Sequence, residues 1–214
     1  MKMSDMPELA RLLKKEFLKS KAPITELDRV RGSSPFHILV TTILSARTKD
    51  ETTSSVVERL FKKIKKSDDF RHVSLGELEK LIYPIGFFRT KAKHLKELPD
   101  VLDAKFKGVV PSTIEELCEL PGVGRKTANL VLTDAFDKPA ICVDVHVHRI
   151  CNRLGLIKTK SPTETEMVLR KELPIKYWKP FNKHLVSFGQ TTCLPRNPKC
   201  DICPVYHLCK RVFN

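Results

Sequence analysis

Four cysteines lie close together near the end of the chain, at a spacing typical of metal ligands. They are Cys193, Cys200, Cys203 and Cys209, separated by six, two and five residues. Four thiolates so placed can bind one tetrahedral zinc ion or a [4Fe–4S] cluster. The first residues alternate polar and apolar side chains, so we expect no secretory signal and no disulfide framework. The spacing alone leaves both metals open.

A second candidate site is residues 120–128, LPGVGRKTA, between two stretches with apolar residues at helical spacing. This string resembles the helix-hairpin-helix motif of DNA-binding proteins. Its glycines permit close backbone approach, and the start of the second helix offers N–H groups to a phosphate. A tight turn between packed helices is the alternative. The residues expected to contact DNA here are Pro121, Gly122, Val123, Gly124 and Arg125.

Lys126 falls in the first turn of that second helix, where the helix dipole disfavours another cation. An amine there can act as a nucleophile, or it can contact phosphate. The helix from Lys126 is about 16 Å long, and residues 137–143 can span about 24 Å. Asp144 can therefore return to the side of Lys126. Because Asp144 precedes another apolar stripe, it is also the expected N-cap of the next helix.

These residues together resemble the signature of the endonuclease III family, DNA glycosylases that also act as abasic-site lyases. The resemblance rests on LPGVGRKTA, on the string VDVH at 143–146 and on the cysteine spacing, and it runs from about residue 36 to 209. It implies that Lys126 attacks the deoxyribose C1′, displaces the damaged base and forms a Schiff base. It implies that Asp144 stabilises charge at the sugar and assists proton transfer, and that the four cysteines hold a [4Fe–4S] cluster.

The resemblance implies further DNA contacts, two of them at positions where this chain departs from the family. Arg47 stands where the family usually has the glutamine that fills the gap left by the flipped nucleotide. Phe87 stands where a leucine usually wedges into the duplex. In the cysteine-rich loop, Arg196 and Lys199 are expected to contact phosphate. His146, beside the aspartate, is expected to pack or to contact phosphate.

Signals for helices recur along the chain, and convincing strands do not. Capping boxes stand at residues 74–77 and 113–116, and Ser-Pro pairs suited to helix starts stand at 34–35 and 161–162. Residues 140–143 alone look extended. We therefore expect an all-α protein.

The resemblance also implies the two-lobed helix-hairpin-helix DNA glycosylase fold. Residues 28–138 would form a six-helix barrel that ends in the hairpin. Residues 1–27 together with 139–214 would form the iron–sulfur cluster lobe. Lys126 and Asp144 would face each other across the cleft between the lobes.

The charge balance points to a polyanionic partner. The 214 residues include 39 Lys and Arg against 25 Asp and Glu, a net charge of +14 with a pI near 9.5. An excess of this size favours nucleic acid. No apolar run approaches the roughly 18 residues that span a bilayer. We expect a monomer in the cytoplasm or nucleoid that binds damaged double-stranded DNA and no membrane.

The implied function is base excision repair by a bifunctional DNA glycosylase and AP lyase. It would excise oxidised pyrimidines from duplex DNA and cut the strand 3′ to the abasic site by β-elimination. Three alternatives stay open. They are a monofunctional mismatch or adenine glycosylase, which Lys126 argues against, a non-catalytic DNA-binding module whose metal is held by the four cysteines, and an abasic-site lyase without useful glycosylase activity.

Overall fold

A computed structural model describes residues 1–213, which contain eleven α-helices and no β-strand. The prediction of an all-α protein is confirmed. Residues 140–143 are an irregular segment with buried side chains rather than a strand. The Cys142 carbonyl accepts a hydrogen bond from Asn182 Nδ2 at 3.1 Å, so a side chain takes the place that a neighbouring strand would fill.

The helices cover most of the described residues, and none of them is long and apolar enough to cross a membrane. In chain order they are α1 (Met6–Lys19), α2 (Pro23–Arg31), α3 (Pro35–Ser45), α4 (Asp50–Lys63), α5 (Leu75–Ile82), α6 (Phe88–Phe106), α7 (Ile114–Cys118), α8 (Arg125–Phe136), α9 (Val145–Leu154), α10 (Pro162–Glu172) and α11 (Trp178–Thr191). Short 3-10 helices lie at Met3–Asp5, Ser67–His72, Ile175–Tyr177, Cys200–Ile202 and Tyr206–Leu208.

Several helices begin where side-chain oxygens pair the first N–H groups. Ser74 Oγ accepts from the N–H of Glu77 while the Glu77 carboxylate accepts from the N–H of Ser74, which is the predicted capping box. Thr113 and Ser161 cap α7 and α10 through the side-chain bond alone, accepting from the N–H groups of Glu116 and Glu164. Each cap supplies about 1 kcal/mol to the start of its helix.

Residues 26–138 form one compact unit with α3 at its centre. Residues 38–44 of α3 are all buried, and the helix packs against α4, α6 and α8. A helix that is apolar over most of its surface has to be surrounded in this way. Arg31 and Asp134, both almost fully buried, form an ion pair at 2.6 Å that joins α2 to α8.

Residues 1–25 and 139–214 form the second compact unit. Its core is built from the apolar faces of α1, α9 and α11, which pack on one another. Buried members of this core include Leu9, Leu13, Val147, Ile150, Leu154, Leu185 and Phe188.

Candidate functional site

The turn between α7 and α8 has the geometry that its sequence requires. The N–H of Val123 donates to the Leu120 carbonyl at 3.1 Å, and Gly122 has a φ of +75°. Proline followed by a glycine of positive φ is typical of a type II turn. The sequence pattern extends the first helix to Leu120, whereas α7 ends at Cys118. Leu120 is buried like a helix residue but belongs to the turn.

The two glycines of this turn have different roles: Gly122 lets the backbone lie close to α6, and Gly124 caps α8 without a side chain. A Cβ on Gly122 would lie 2.6 Å from His94 Nδ1 of α6, so a larger residue does not fit. Gly124 is the N-cap of α8 and provides no side-chain acceptor for the first N–H groups. A helix start of this kind suits an external anion.

Lys126 is the second residue of α8 and is exposed. The residues after it turn inward, since Thr127, Ala128 and Asn129 are buried and α8 packs on α3. The amine therefore stands on the outer side of the first helical turn, as the sequence predicts. Lys126 belongs to the unit of residues 26–138, and Asp144 belongs to the other unit.

Asp144 is the N-cap of α9, as predicted, and is half-buried. Its Oδ1 accepts hydrogen bonds from the N–H groups of His146 and Val147, both at 2.9 Å. The two cap bonds hold the carboxylate in one orientation.

The four cysteines line one cavity, together with apolar residues that include Ile150, Leu154, Phe188 and Val205. Burial raises the pKa of the Cys203 thiol to about 11 and also raises the pKa of Cys209. Thiolates in such surroundings need a metal cation to offset their charge.

Four cysteines around one cavity can hold either of the two metal centres that their spacing allows. One tetrahedral zinc ion would hold all four sulfurs about 2.3 Å from itself. A [4Fe–4S] cluster binds each thiolate at a different iron and so spreads the ligands around a larger body.

Two arginines of α9 hold the backbone that leads into the cysteine-rich loop. Arg149 donates to the Cys193 carbonyl at 2.8 Å and to the Gly189 carbonyl at 3.3 Å. Arg153 donates to the carbonyls of Leu194 and Pro195 at 2.6 and 2.7 Å, and its Nη1 lies 3.6 Å from Cys193 Sγ. The helix that begins at Asp144 is thus bonded directly to the cysteine loop.

Arg47 and Phe87 lie together within the unit of residues 26–138. The Arg47 guanidinium carbon is 5.4 Å from the centroid of the Phe87 ring, and both residues have left-handed backbone conformations. Phe87 is 62% exposed, whereas the neighbouring Phe88 packs edge-on against Tyr83. Of the two adjacent phenylalanines, Phe87 is therefore the one that a ligand can reach.

The remaining predicted DNA contacts differ in accessibility. Arg196 and Lys199 are exposed on the cysteine loop. The His146 ring is instead packed beside α11, because its Nδ1 lies 3.2 Å from Arg149 and a Cβ on Gly189 would lie 2.4 Å from it. Of the two roles expected for His146, packing is the one that these contacts support.

Sequence reasoning missed three buried or half-buried cations: Arg149, Arg153 and Lys91. Lys91 is 7% exposed, and its Nζ donates to backbone carbonyls of Leu44 and Ala46. The sequence held a signal for the burial of Lys91, because Lys91 precedes Leu95 and Leu98 at the four- and seven-residue spacing of an apolar helix face.

Comparison with known proteins places the chain among DNA repair enzymes. Residues 40–174 match the profile of the HhH-GPD superfamily base excision DNA repair protein, and residues 193–209 match the iron–sulfur binding domain of endonuclease III. Endonuclease III of Thermotoga maritima is 42% identical over 95% of this chain and 91% of its own length. Endonuclease III of Bacillus subtilis is 40% identical over 83% and 82%. The chain spans about half of a chloroplastic homologue from Arabidopsis thaliana.

The solved structures that this chain resembles are also DNA glycosylases. A trapped covalent intermediate of endonuclease III with DNA is 35% identical, with a TM-score of 0.87 over 99% of this chain and 97% of that one. A thermostable thymine-DNA glycosylase is 28% identical, with a TM-score of 0.77 over 94% and 96%.

Replacing Gly122 by alanine should weaken binding to duplex DNA about tenfold, because a left-handed backbone costs an alanine about 1–2 kcal/mol. The new methyl group would also displace His94. Fluorescence anisotropy of a labelled duplex measures the effect. Gly76→Ala is the matched control, since it lies in α5 with nothing within 4 Å of its Cβ position. Equal affinity for the two variants would contradict a role for the turn geometry.

Replacing Arg153 by methionine should lower the iron and sulfide content of the purified protein and its visible absorption per chain. The change removes the donors to two loop carbonyls and the contact with Cys193 Sγ, so the cysteine loop keeps only the Arg149 side chain of the two that attach it to α9. Arg170→Met is the control, because Arg170 bonds Glu166 and covers Trp178 instead. Full cluster content in Arg153→Met would show that the loop needs no such attachment.

Proposed function

The chain belongs to the endonuclease III family of the HhH-GPD superfamily, which makes it a base excision repair DNA glycosylase with AP lyase activity, and we propose that it removes oxidised pyrimidines from duplex DNA. The observation that carries this proposal is an exposed lysine in the first turn of the hairpin helix. A glycosylase that only hydrolyses the base needs no amine there, whereas a lyase does.

Lys126 is the proposed nucleophile. Its neutral amine attacks C1′ of the flipped nucleotide, the C1′–N bond breaks, and the base leaves with the electron pair and takes up a proton. The sugar ring then opens, and C1′ is joined to Nζ as a Schiff base. Loss of a proton from C2′ then expels the 3′ phosphate, which cuts the strand on that side. The nucleotide has to leave the stack first, because C1′ is unreachable inside the duplex.

Asp144 is the proposed electrostatic partner of that reaction. Positive charge develops at the sugar as the base leaves, and a carboxylate oxygen held in place stabilises such charge. The bonds from His146 and Val147 to Oδ1 fix the side chain, so Oδ2 is the oxygen that would act. The same oxygen is suited to passing a proton during the elimination.

The protein carries a [4Fe–4S] cluster, and Cys193, Cys200, Cys203 and Cys209 are its proposed ligands. The cavity that the four side chains line supports this assignment. When bound, the cluster holds the cysteine loop in one conformation. That loop exposes Arg196 and Lys199, which would then contact DNA phosphates.

The protein binds DNA, and the proposed interface combines phosphate contacts with insertion into the duplex. The turn at Gly122–Gly124 and Arg125 would bind a DNA phosphate. Arg47 and Phe87 would insert into the DNA duplex at the position that the flipped nucleotide leaves. With about five phosphates neutralised, the slope of log affinity against log salt is about −4.

We further propose that the protein acts as a monomer inside the cell, at the nucleoid, where its substrate lies.

Lys126→Gln should abolish covalent capture of the enzyme on DNA. Borohydride reduces a Schiff base to a stable amine, so the wild-type protein should form an adduct with a duplex that contains one thymine glycol. Glutamine has no nucleophilic amine, and the adduct should vanish while binding to the same duplex persists. Denaturing electrophoresis separates the adduct from free DNA.

Other outcomes of this experiment would identify other functions. Free base without an adduct in the wild-type protein would indicate a monofunctional glycosylase. Binding without adduct or base release would leave a different lesion or a non-catalytic DNA-binding module. An adduct on pre-formed abasic DNA alone would indicate a lyase without useful glycosylase activity.

Asp144→Asn should slow the single-turnover rate about a hundredfold or more while leaving stability unchanged. Asparagine caps a helix as well as aspartate, so α9 should keep its first turn. The amide carries no charge and cannot stabilise the cationic sugar or accept its proton. The rate on an abasic duplex and the urea midpoint of unfolding test the two halves of this prediction. A loss of stability equal to that of Asp144→Ala would mean that capping is the main role.

A further inference from the structure

Lys91 is a buried lysine with no acidic partner among its described contacts. Its Nζ donates to the Leu44 carbonyl at 2.8 Å and the Ala46 carbonyl at 2.5 Å, and lies 3.4 Å from Thr48 Oγ1. Burial lowers the pKa of this ammonium to about 8. Burying a charge without a counter-ion is unfavourable in free energy, so the hydrogen bonds of the ammonium have to offset the loss of hydration.

The acceptors of Lys91 explain why a cation is placed there. Leu44 belongs to the last turn of α3, and Ala46 is the residue that follows the helix. Carbonyl groups at the end of a helix lack partners within it and form the negative end of the dipole. The ammonium pairs two of these carbonyls and fixes the direction in which the chain leaves α3.

The same ammonium links two loops that are distant in sequence. Thr48 Oγ1 accepts a hydrogen bond from the N–H of Gly86 at 3.1 Å. Gly86 lies so close to this loop that a Cβ on it would be 2.7 Å from the Arg47 carbonyl. The N–H of Lys91 itself donates to the Phe87 carbonyl at 3.0 Å. Lys91, Thr48 and Gly86 therefore clamp the loop at 46–48 to the loop at 84–87.

The clamp holds two residues in a conformation that they would not adopt alone. Arg47 and Phe87 have φ values of +57° and +58°, although neither is glycine. A left-handed backbone is unfavourable for a residue other than glycine unless its surroundings enforce it. Within the clamp, the guanidinium of Arg47 rests over the exposed ring of Phe87.

We propose that Lys91 is a positioning residue that keeps Arg47 and Phe87 assembled as one rigid element before DNA is bound. The inference rests on the proposed function, in which these two side chains enter the duplex. A preformed pair loses little conformational freedom on insertion, whereas two mobile loops would have to be ordered each time a nucleotide is flipped. Lys91 touches neither the DNA nor the reacting atoms in this arrangement.

Lys91→Met tests the inference, because methionine keeps the apolar stem and removes the three donors. The single-turnover rate of borohydride trapping on an abasic duplex should fall about tenfold or more, since loss of position of about 1 Å can cost a hundredfold. The rate on single-stranded abasic DNA, which needs no insertion, should stay within about twofold. Fluorescence of 2-aminopurine opposite a non-cleavable abasic analogue should rise on binding for the wild-type protein and much less for the variant.

Lys96→Met is the matched control. Lys96 lies on the same helix, and its ammonium also donates to backbone carbonyls, those of Phe70 and Val73 at 2.8 and 2.9 Å. These carbonyls belong to a segment outside the clamp, so any loss of stability should leave duplex and single-stranded rates in their wild-type ratio. Should Lys91→Met fail to fold, Thr48→Val removes the link to Gly86 and the 3.4 Å contact with the Lys91 ammonium, and it should lower the duplex rate in the same selective way.

A double-mutant cycle completes the test. If Lys91 acts through Arg47 and Phe87, adding Lys91→Met to the Arg47→Ala/Phe87→Ala variant should cause little further loss. A fully additive loss, or an equal loss on single-stranded and duplex DNA, would overturn the inference. A wild-type protein that forms no adduct would instead refute the proposed function and the inference with it. An active wild type matched by Lys91→Met on duplex DNA would refute the inference alone.

Discussion

Backbone groups at the end of a helix have no partner within that helix, and three such ends position the functional residues of this protein. At the start of α9, Asp144 accepts the N–H groups of His146 and Val147, so the cap also orients the carboxylate. At the end of α3, the ammonium of Lys91 pairs the carbonyls. At the start of α8, Gly124 supplies no side-chain acceptor, which leaves the N–H groups beside Lys126, the proposed nucleophile, suited to phosphate.

The helix α9 connects Asp144, the proposed electrostatic partner, to the cysteine loop. Asp144 caps one end of the helix, and Arg149 and Arg153 bond the loop backbone along the next two turns. The side of α9 that meets α11 is closely packed, because Gly189 leaves room for the His146 ring where any Cβ would collide with it. The loop and the aspartate therefore share one rigid support, and a cluster that orders the loop acts on the same helix.

Some of these features could be predicted from residue types at fixed spacing. The start of α8, the Asp144 cap and the grouping of four cysteines depend on contacts within a few residues, and each stands where the pattern places it. The end of α7 was predicted two residues too late, because Leu120 is buried for tertiary reasons. The bonds of Lys91, Arg149 and Arg153 join residues more than 40 positions apart. Local spacing could place Lys91 on an apolar helix face, but it could not identify the carbonyl partners of any of the three cations.

By itself, the sequence determined the all-α class, the hairpin, the candidate lysine and aspartate and the cysteine-rich loop, since each depends on local backbone preference or on the chemistry of residues close in the chain. The tertiary structure decided which of two adjacent phenylalanines is exposed, that Arg47 stacks on Phe87, and that a lysine is buried beneath both. These outcomes depend on which helix end meets which loop in space. Hydrogen-bond partners and burial are set by that packing and not by the residues alone.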